Sequence, residues 1–259
     1  MSHEFIKDYW ENQAITHKDS HHASWADKFM VALEIDAIGD HISGGDRVLD
    51  VGCANGYSAF EQLKRCSDIR SIVGIDFAEN MIVQANGAKE KANLTDAVTF
   101  EVGDARSLRF PDNTFDVVYT TRVLINLPSW EEQMLALNEC MRVVRPGGKA
   151  IFSEAFWEPL MLLNALRLLK HLPPLVEHDF NRYLKKSVLE EFFAQKELKY
   201  SVNEFSSVYY LGSRFLRELV TNAAAYPGYS NPINRIFYDM EKEFSGGGFG
   251  IQQAYIVTK

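Results

Sequence analysis

The chain has 259 residues, of which 46% are hydrophobic and 24% are charged, the composition of an ordinary soluble globular protein. Its formal net charge of −8 disfavours duplex nucleic acid as the main partner, because binding to phosphates requires a basic surface. The N-terminus has no signal-peptide pattern and no apolar stretch is long enough to span a bilayer, so we expect a cytoplasmic protein without a transmembrane segment. Three widely spaced cysteines without a CxxC pair indicate reduced thiols.

Strand-like and helix-like segments alternate along most of the chain. In chain order, the sequence predicts strands at residues 47–51, 71–76, 97–102, 115–120 and 149–154, with helices at 57–66, 79–92 and 130–144. A further strand is expected near residues 200–210 and a last one at 251–258. Such alternation is typical of βαβ units, so we predict a doubly wound α/β fold around a mostly parallel sheet, with helices on both faces.

Helix-capping patterns mark two of the predicted helices. Ser129 and Glu132 form a capping box at the start of the third helix, and Ser187 and Glu190 form the same pattern further on. Capping boxes satisfy free N–H groups of a first helical turn, so both pairs are predicted to begin helices.

Three parts of the chain lie outside the strand–helix alternation. Residues 1–43 read as an N-terminal helical lid, and residues 44–259 as a domain with insertions at about 155–197 and 212–245. Long insertions in a compact α/β domain more often form lids or binding walls than idle loops. The apolar helix expected at 160–172 has two open interpretations, a lid packed on the domain or a contact with a lipid surface.

The stretch VLDVGCANGYS, residues 48–58, runs from a strand into a glycine-marked turn and then a helix. Open α/β sheets bind nucleotides at such turns. Gly52 and Gly56 are separated by three residues and no third glycine follows, which differs from the G-x-G-x-x-G loop that cradles a pyrophosphate. A Walker loop is excluded because no G-K-[ST] follows. A nicotinamide oxidoreductase is therefore disfavoured.

Two acidic residues follow the next two predicted strands. Asp76 closes the second strand, where a carboxylate can accept hydrogen bonds from ribose hydroxyls. Asp104 follows the third strand, where it can accept from an adenine amino group while the Ala105 N–H donates to a ring nitrogen. Because parallel strands end at the same edge of a sheet, these groups are predicted to share one nucleotide site with the glycine turn.

Four segments match one family in order and spacing over about residues 45–154. VLDVGCANGYS, VGIDFAENMI, VTFEVGDARSLRFPDNTFDVVYTTRVLINL and VVRPGGKAIFSE together resemble the class I S-adenosylmethionine-dependent methyltransferases. The resemblance implies a seven-stranded sheet whose last two strands form a reversed hairpin. It also implies S-adenosyl-L-methionine as the methyl donor and S-adenosyl-L-homocysteine as its product.

The resemblance further implies a set of cofactor-binding positions. Residues around the first turn would surround the methionine part, those after the second strand would hold the ribose and pack on adenine, and those after the third would read adenine. The implied set is Asp50, Gly52, Ala54, Asn55, Gly56, Asp76, Phe77, Met81, Gly103, Asp104, Ala105, Thr121 and Arg122. Many relatives carry an acidic or histidine residue in the stretch Leu124–Leu127, where this chain has Ile125 and Asn126.

A hydroxyl acceptor requires a base, and two residues are predicted for that role. Glu154 ends the fifth strand at the ligand edge, and His178 lies in a polar cluster of the first insertion. A metal site is not expected, since the histidines of the N-terminal segment have no acidic partner at ligand spacing. Several aromatic residues are expected to form core and lid packing, with some walling the acceptor pocket: Tyr209, Tyr210, Phe215, Tyr226, Tyr229 and Tyr238.

The sequence thus favours a methyltransferase that acts on a small molecule. The stretches TTRVLINLPSW, LLNALRLL and FNRYL resemble methyltransferases of bacterial glycan and secondary-metabolite pathways, which favours a hydroxyl of a sugar, glycan precursor or natural product. The alternatives are N-methylation of a small amine and a non-catalytic S-adenosylmethionine-binding module. Nucleic-acid methylation is disfavoured because no [DNS]-P-P-[YF] follows the fourth strand, and a homodimer remains an open expectation.

Overall fold

The strands of the chain form one sheet. The computed structural model describes residues 2–94, 97–220 and 228–259. In this part of the chain the strands are β1 (Arg47–Val51), β2 (Ser71–Asp76), β3 (Val98–Val102), β4 (Phe115–Thr121), β5 (Val144–Ala155), β6 (Lys199–Asn203) and β7 (Gln252–Thr258). The seven strands are ordered β3-β2-β1-β4-β5-β7-β6. β1 to β5 pair in parallel, whereas β7 is antiparallel to both β5 and β6. The predicted mostly parallel, seven-stranded sheet with a reversed last hairpin is confirmed.

Helices cover both faces of the sheet and extend from its ends. They are α1 (His3–His17), α2 (Lys28–Gly39), α3 (Tyr57–Arg65), α4 (Glu79–Lys91), α5 (Trp130–Val143), α6 (Trp157–Leu169), α7 (Lys186–Gln195), α8 (Ser207–Leu211), α9 (Arg217–Val220) and α10 (Asn234–Glu243). A π-helical turn at Gly212–Leu216 joins α8 to α9. None of the helices in the described ranges is both long and apolar enough to cross a membrane.

Two hydrophobic cores lie on opposite faces of the sheet. Val48 belongs to the core that contains residues of α2, α3, α4, α6 and α8, while the next residue, Leu49, belongs to the core that contains residues of α5 and α7. Successive side chains of a strand point to opposite faces, so strands buried on both sides are apolar at nearly every position. This explains why the short apolar runs of the sequence locate the central strands well.

The strand predicted near residues 200–210 is wrong in its second half. β6 ends at Asn203, and a helix begins at Ser207. The carboxylate of Glu241 on α10 accepts a hydrogen bond from the Tyr209 backbone N–H at 2.8 Å, so a distant element supplies the cap of this helix. Helical structure therefore begins at Ser207, before residue 212, where the sequence placed the start of the second insertion.

One predicted capping box is half formed and the other is wrong. The Ser129 hydroxyl accepts from the Glu132 N–H at 3.3 Å, but the Glu132 carboxylate bonds to Arg106 instead of returning to the cap. Ser187 lies inside α7, whose first residue is Lys186. Glu190 accepts from the Tyr255 hydroxyl at 2.8 Å, a contact with β7 that local sequence does not reveal.

The N-terminal segment packs across the sheet edge at which β1 and β2 end. The Glu11 carboxylate on α1 accepts from the backbone N–H groups of Glu79 at 2.7 Å and Asn80 at 2.8 Å, at the start of α4. An acid at this position satisfies free N–H groups and interacts favourably with the helix dipole. The Lys7 ammonium also bonds to Glu79 at 3.0 Å. These contacts hold α1 beside the strand ends.

Candidate functional site

A cavity of about 600 Å³ lies at the carboxyl ends of the central strands, within the usual size range of ligand sites. The glycine turn and the ends of β2, β3 and β4 form one part of its wall. Residues of α1, of the segment before α2 and of both insertions complete it. Of the predicted cofactor-binding residues, the cavity is lined by Gly52, Ala54, Asp76, Phe77, Met81, Gly103, Asp104, Ala105, Thr121 and Arg122.

The turn after β1 is held tightly against β2. The backbone N–H groups of Gly52 and Cys53 both donate to the Ile75 carbonyl, at 2.8 and 2.9 Å. Gly52 has a φ of +77°, a conformation that favours glycine. A Cβ at this position would lie 2.1 Å from Val123 Cγ2, on the loop after β4. Gly52 therefore permits the close approach of two loops that both border the cavity.

Asp76 borders the cavity and also organises its wall. Its two carboxylate oxygens accept from the backbone N–H groups of Ala54 and Ala78, each at 2.9 Å. The residue is 8% exposed, and burial raises the pKa of its carboxyl to about 6. A carboxylate oxygen accepts more than one hydrogen bond, so Asp76 can still receive hydroxyl donors from the cavity while it holds the turn and the start of α4.

Asp104 lies in a polar network at the next strand end. The Arg106 guanidinium donates to both of its oxygens, at 2.7 to 3.2 Å, and this pairing is the main reason why the pKa of Asp104 is lowered. Arg106 also bonds to Glu132 at 2.5 Å and contacts the His3 ring nitrogen at 3.0 Å. The first turn of α1 is thus joined to the strand end that the sequence assigned to adenine.

Three of the predicted cofactor residues do not line the cavity. Asp50 is buried and accepts from the Tyr119 hydroxyl at 2.7 Å, and burial raises the pKa of its carboxyl to about 7. Asn55 donates to the carbonyls of Lys18 at 2.7 Å and Ser20 at 2.8 Å. Gly56 precedes α3, where a Cβ would meet the Phe100 ring at 2.6 Å. The side chains of Asp50 and Asn55 therefore support the turn from outside the cavity, and Gly56 permits the close approach of Phe100.

Glu154 is placed differently from the sequence prediction. It is fully buried and does not line the cavity. Its carboxylate accepts from the Thr120 hydroxyl at 2.7 Å and from three successive backbone N–H groups, those of Val123, Leu124 and Ile125, at 3.1 to 3.3 Å. Burial raises the pKa of this carboxyl to about 7. Glu154 therefore anchors the loop after β4. Its side chain points into the fold and not toward the cavity.

Arg122 stands on the cavity wall in a strained backbone conformation, with a φ of +55°. Its guanidinium pairs with the buried Glu34 and lies 4.7 Å from the Trp25 ring centre. Glu34 in turn accepts from Ser153 at 2.9 Å and from Gln252 at 3.0 Å. The neighbouring Thr121 lines the cavity, although its hydroxyl oxygen is buried without a partner in the described ranges. The arginine is thus a fixed cation in the wall, and a ligand carboxylate would have to compete with Glu34 for it.

A further part of the cavity wall is mainly aromatic. His178 lines it, with its ring 4.5 Å from the Phe180 ring and 5.5 Å from the Tyr9 ring. Of the aromatic residues expected to pack in the core or the lid, Tyr210 and Tyr229 also line the cavity. Tyr209, Phe215 and Tyr238 pack in the core outside it, and Tyr226 lies outside the described residues.

Sequence reasoning missed several wall residues of this aromatic part. They come from α1, from the segment before α2 and from the first insertion: Ile6, Tyr9, Trp10, Trp25, Glu177 and Phe180. No local motif marks them, because they meet only when distant segments fold over the sheet. Within the described residues, no group of three or more His, Cys, Asp or Glu side chains is arranged to hold a metal ion.

Comparisons with known proteins agree with this geometry. Residues 48–148 match a family described as "Methyltransferase domain". The 27-O-demethylrifamycin SV methyltransferase of Amycolatopsis mediterranei is 32% identical over 54% of this chain and 52% of its own length. The ubiquinone/menaquinone biosynthesis C-methyltransferase UbiE of Geobacter sulfurreducens is 30% identical over 61% of this chain and 62% of its own.

The fold also has counterparts among solved structures. Geranyl diphosphate C-methyltransferase from Streptomyces coelicolor A3(2), in complex with Mg²⁺, geranyl diphosphate and S-adenosyl-L-homocysteine, has a TM-score of 0.60 and 14% identity, covering 98% of this chain and 96% of its own. At such identity the likeness concerns the fold alone. The chain spans about half the length of the first curated relatives it matches. Residues 48–148 thus belong to a methyltransferase-domain family, and in fold, motifs and relatives the chain resembles the class I S-adenosylmethionine-dependent methyltransferases.

Proposed function

We propose that this protein transfers a methyl group from S-adenosylmethionine to a hydroxyl oxygen of a small molecule with a flat, apolar body. The observation that carries the proposal is a single cavity that joins the strand ends of Asp76 and Asp104 to the aromatic part of the wall. We call that part, which includes His178, Tyr210 and Tyr229, the aromatic chamber. A donor and an acceptor can therefore lie side by side, shielded from water, in the alignment that methyl transfer needs.

The residues at the strand ends fit the methyl donor. Asp76 offers a buried carboxylate to ribose hydroxyls, and Phe77 and Met81 offer apolar surface to a purine ring. The Gly103–Ala105 segment supplies backbone beside that surface, and Gly52 and Ala54 border the region where an amino-acid part would lie. When bound, S-adenosylmethionine supplies a methyl group on a sulfonium sulfur. Asp50, Asn55 and Gly56 act on the donor only through the shape of the turn.

The chamber walls favour an acceptor with a conjugated or aromatic body over a bare sugar. Trp25, Ile125, Tyr183, Tyr210 and Tyr229 border this part of the cavity. Aromatic side chains bind flat apolar groups by stacking and edge contacts, while their polar ends can orient a hydroxyl. Among the hydroxyl acceptors that the sequence favours, a natural product with a planar ring system is the best match.

His178 is the residue that we propose as the base for the acceptor hydroxyl. Of the two predicted bases, Glu154 is enclosed in the fold, whereas the His178 imidazole borders the aromatic chamber. An imidazole ring nitrogen can accept a proton from a hydroxyl group and release it again. Glu177 and Asp179 flank it on the same cavity wall and can orient the ring.

We propose that the segment 1–43 serves as a lid over the donor and that the two insertions form the acceptor chamber. The contacts of α1 with α4, through Glu11, and with Arg106, through His3, support this division. Both contacts are ionic or polar, so they can open and reform without disturbing a packed core.

The C-methyltransferase relatives support a second candidate acceptor atom, a carbon activated by a neighbouring hydroxyl. UbiE of Geobacter sulfurreducens is such a relative by name. The same aromatic chamber would hold either kind of acceptor, and the oxygen assignment follows the relative named as a 27-O-demethylrifamycin SV methyltransferase.

Two probe acceptors with the same ring system separate the possibilities. We expect 1-naphthol, but not 1-naphthylmethylamine, to increase the formation of S-adenosylhomocysteine from S-adenosylmethionine. Mass and fragmentation of the product would distinguish O-methyl from ring-methyl naphthol. Turnover with the amine alone would support N-methylation instead, and turnover with neither compound would support a non-catalytic binding module.

A further inference from the structure

A free tyrosine hydroxyl borders the aromatic chamber beside a buried cation. Tyr210 is 4% exposed, lines the cavity, and has no hydrogen-bond partner for its hydroxyl among the described residues. The Tyr210 hydroxyl oxygen is not one of the fully enclosed polar atoms that lack a partner. Because the side chain lines the cavity, we take this oxygen to be open to it. A buried polar group left open to a cavity is suited to bind a polar atom of a ligand.

The cation beside Tyr210 is Arg214, from the π-helical turn. Its guanidinium carbon lies 5.3 Å from the Tyr210 ring centre and 4.7 Å from the Tyr229 ring centre. Arg214 is 8% exposed, donates to Asp27 at 2.6 Å and to the Ser213 hydroxyl at 2.9 Å. π-Helical turns are rare and often occur at functional sites. Here the turn places a fixed positive charge behind two cavity-lining rings.

The charged and titratable groups around Tyr210 come from several elements. Tyr183 and Tyr229 from the two insertions lie near it, as do Arg214 and, more weakly, Asp27 from the start of α2. Burial raises the pKa of Tyr210 well above its usual range, while the charge of Arg214 acts in the opposite direction. Tyr210 thus remains a protonated hydrogen-bond donor at neutral pH.

Tyr183, from the other insertion, is influenced by some of the same charged groups as Tyr210. Burial raises the pKa of its hydroxyl to about 12, and Glu177 and Tyr229 act in the same sense. Arg214 and Arg122 act against this rise. Two guanidinium groups therefore influence this end of the chamber, and their carboxylate partners, Asp27 and Glu34, lie outside the cavity wall.

We infer that Tyr210, with Arg214 behind it, forms an oxyanion subsite that binds the acceptor oxygen of an acidic hydroxyl, a phenol or an enol, in its deprotonated form. The inference rests on the proposed methyltransferase function and specifies its substrate class. On deprotonation the oxygen keeps the electron pair of the O–H bond, and the proton passes to His178 or to water. A preorganised donor and a nearby cation stabilise the resulting charge in a site that excludes water.

An oxyanion subsite also accounts for relatives that methylate different atoms. In a phenolate or enolate, the negative charge is shared between oxygen and conjugated carbon atoms. Either atom can form the new bond to the methyl group while the bond from sulfur to that methyl breaks and its electron pair stays on sulfur. The same binding group therefore serves O- and C-methylation, and the position of the acceptor in the chamber decides which atom reacts.

The probe for this subsite is 4-nitrophenol, whose phenolate form absorbs visible light and whose neutral form does not. We expect the complex of the protein with S-adenosylhomocysteine to bind the phenolate about ten-fold more tightly than the phenol. A ten-fold preference lowers the titration midpoint of the bound probe by about one pH unit. The spectrum reports this shift without any turnover.

Two adjacent tyrosines provide matched variants. Tyr210→Phe removes only the hydroxyl that faces the cavity, so we expect it to abolish most of the phenolate preference. Tyr209 also contacts Arg214, but its hydroxyl donates to Asp27 at 2.6 Å and it does not line the cavity. Tyr209→Phe is therefore expected to lower the urea midpoint and to keep the phenolate preference. Arg214→Gln should reduce the preference as well.

Three results would overturn the inference: an unshifted or raised midpoint for the bound probe, no binding of 4-nitrophenol, or a Tyr210→Phe variant that titrates like the wild type. The titration is repeated without S-adenosylhomocysteine, and binding of that compound is measured separately by calorimetry. Failure to bind S-adenosylhomocysteine would contradict the proposed function. Normal binding of it with no phenolate preference would contradict the oxyanion subsite alone.

Discussion

Arg214 and Asp27 form a buried ion pair, with Nη2 and Oδ2 2.6 Å apart, that joins the second insertion to the start of α2. Asp27 is 1% exposed, caps α2 by accepting from the Met30 N–H at 3.3 Å, and also accepts from the Tyr209 hydroxyl. One carboxylate thus holds together the start of a helix, a tyrosine and the cation behind the rings of Tyr210 and Tyr229.

Loss of the Asp27 carboxylate should strongly destabilise the protein. Asp27→Ala leaves Arg214 buried without its anionic partner, and breaking such a pair costs about 3–5 kcal/mol. Urea unfolding monitored by circular dichroism measures the change. The matched control is Asp239→Ala, which breaks the exposed pair of Asp239 with Arg235 and should leave the unfolding midpoint unchanged. Equal midpoints for both variants would contradict the importance of the buried pair.

Gly52 should tolerate no side chain, because a Cβ there would collide with a neighbouring loop. Gly45 serves as the control for the effect of a positive φ alone. Gly52 and Gly45 both have a positive φ, of +77° and +83°, so alanine strains the backbone at either position. Only at Gly52 would the new Cβ collide with Val123, whereas nothing lies within 4 Å at Gly45. We expect Gly52→Ala to lose about 1–3 kcal/mol more stability than Gly45→Ala because of this overpacking. Gly52→Ala should also weaken binding of S-adenosylhomocysteine, as measured by calorimetry, whereas Gly45→Ala should bind it normally.

Asp50 should make the protein less stable as the pH rises toward neutrality. Burial raises the pKa of its carboxyl to about 7 in the folded protein, above the value of the unfolded chain. The folded state therefore binds more protons between these two values, and stability decreases as the pH rises through this window. Asp50→Asn removes the titration, so its urea midpoint should exceed that of the wild type at pH 8 by a larger margin than at pH 5. A constant margin between the two proteins would show that Asp50 does not titrate in this range.

Glu11 should control how long the donor site stays covered. Glu11→Ala removes the carboxylate that joins α1 to two N–H groups of α4, so we expect faster dissociation of S-adenosylhomocysteine, by about ten-fold, in stopped-flow experiments. Asp8→Ala, an exposed acid on the same helix, is the control and should leave the rate unchanged. Equal rates for Glu11→Ala and the wild type would contradict a lid function of the N-terminal segment.

The sheet was predictable from sequence because its central strands are buried on both faces. β1 and β2 occur at the predicted residues, and β3 and β4 differ from the prediction by one residue at one end. The start of α8 was not predictable, since its cap comes from Glu241, which is 32 residues from Tyr209. In the candidate site, too, local sequence predicted some features, whereas contacts between distant residues were not predictable.

Motif residues predicted which strand ends border the cavity, but they did not predict the direction of every side chain. Asp76, Phe77 and Asp104 reach the cavity because each follows a parallel strand, and all such strands end at one edge. Glu154 also ends a strand at that edge, yet its side chain points into the loop of residues 123–125. Position along a strand is visible in a sequence, but the pairing of a carboxylate with distant N–H groups is not.

The central claim is that the part of the cavity beside Asp76 binds the methyl donor. Calorimetric titration with S-adenosylhomocysteine tests this claim most directly. We predict binding of one molecule per chain, no measurable binding of NADH, and a loss of about 1–3 kcal/mol of binding free energy in Asp76→Ala, as expected when ribose hydrogen bonds are removed. The matched control is Glu90→Ala, an exposed acid on α4, which should bind like the wild type. Tight binding of NADH without binding of S-adenosylhomocysteine, or unchanged binding in Asp76→Ala, would contradict the assignment.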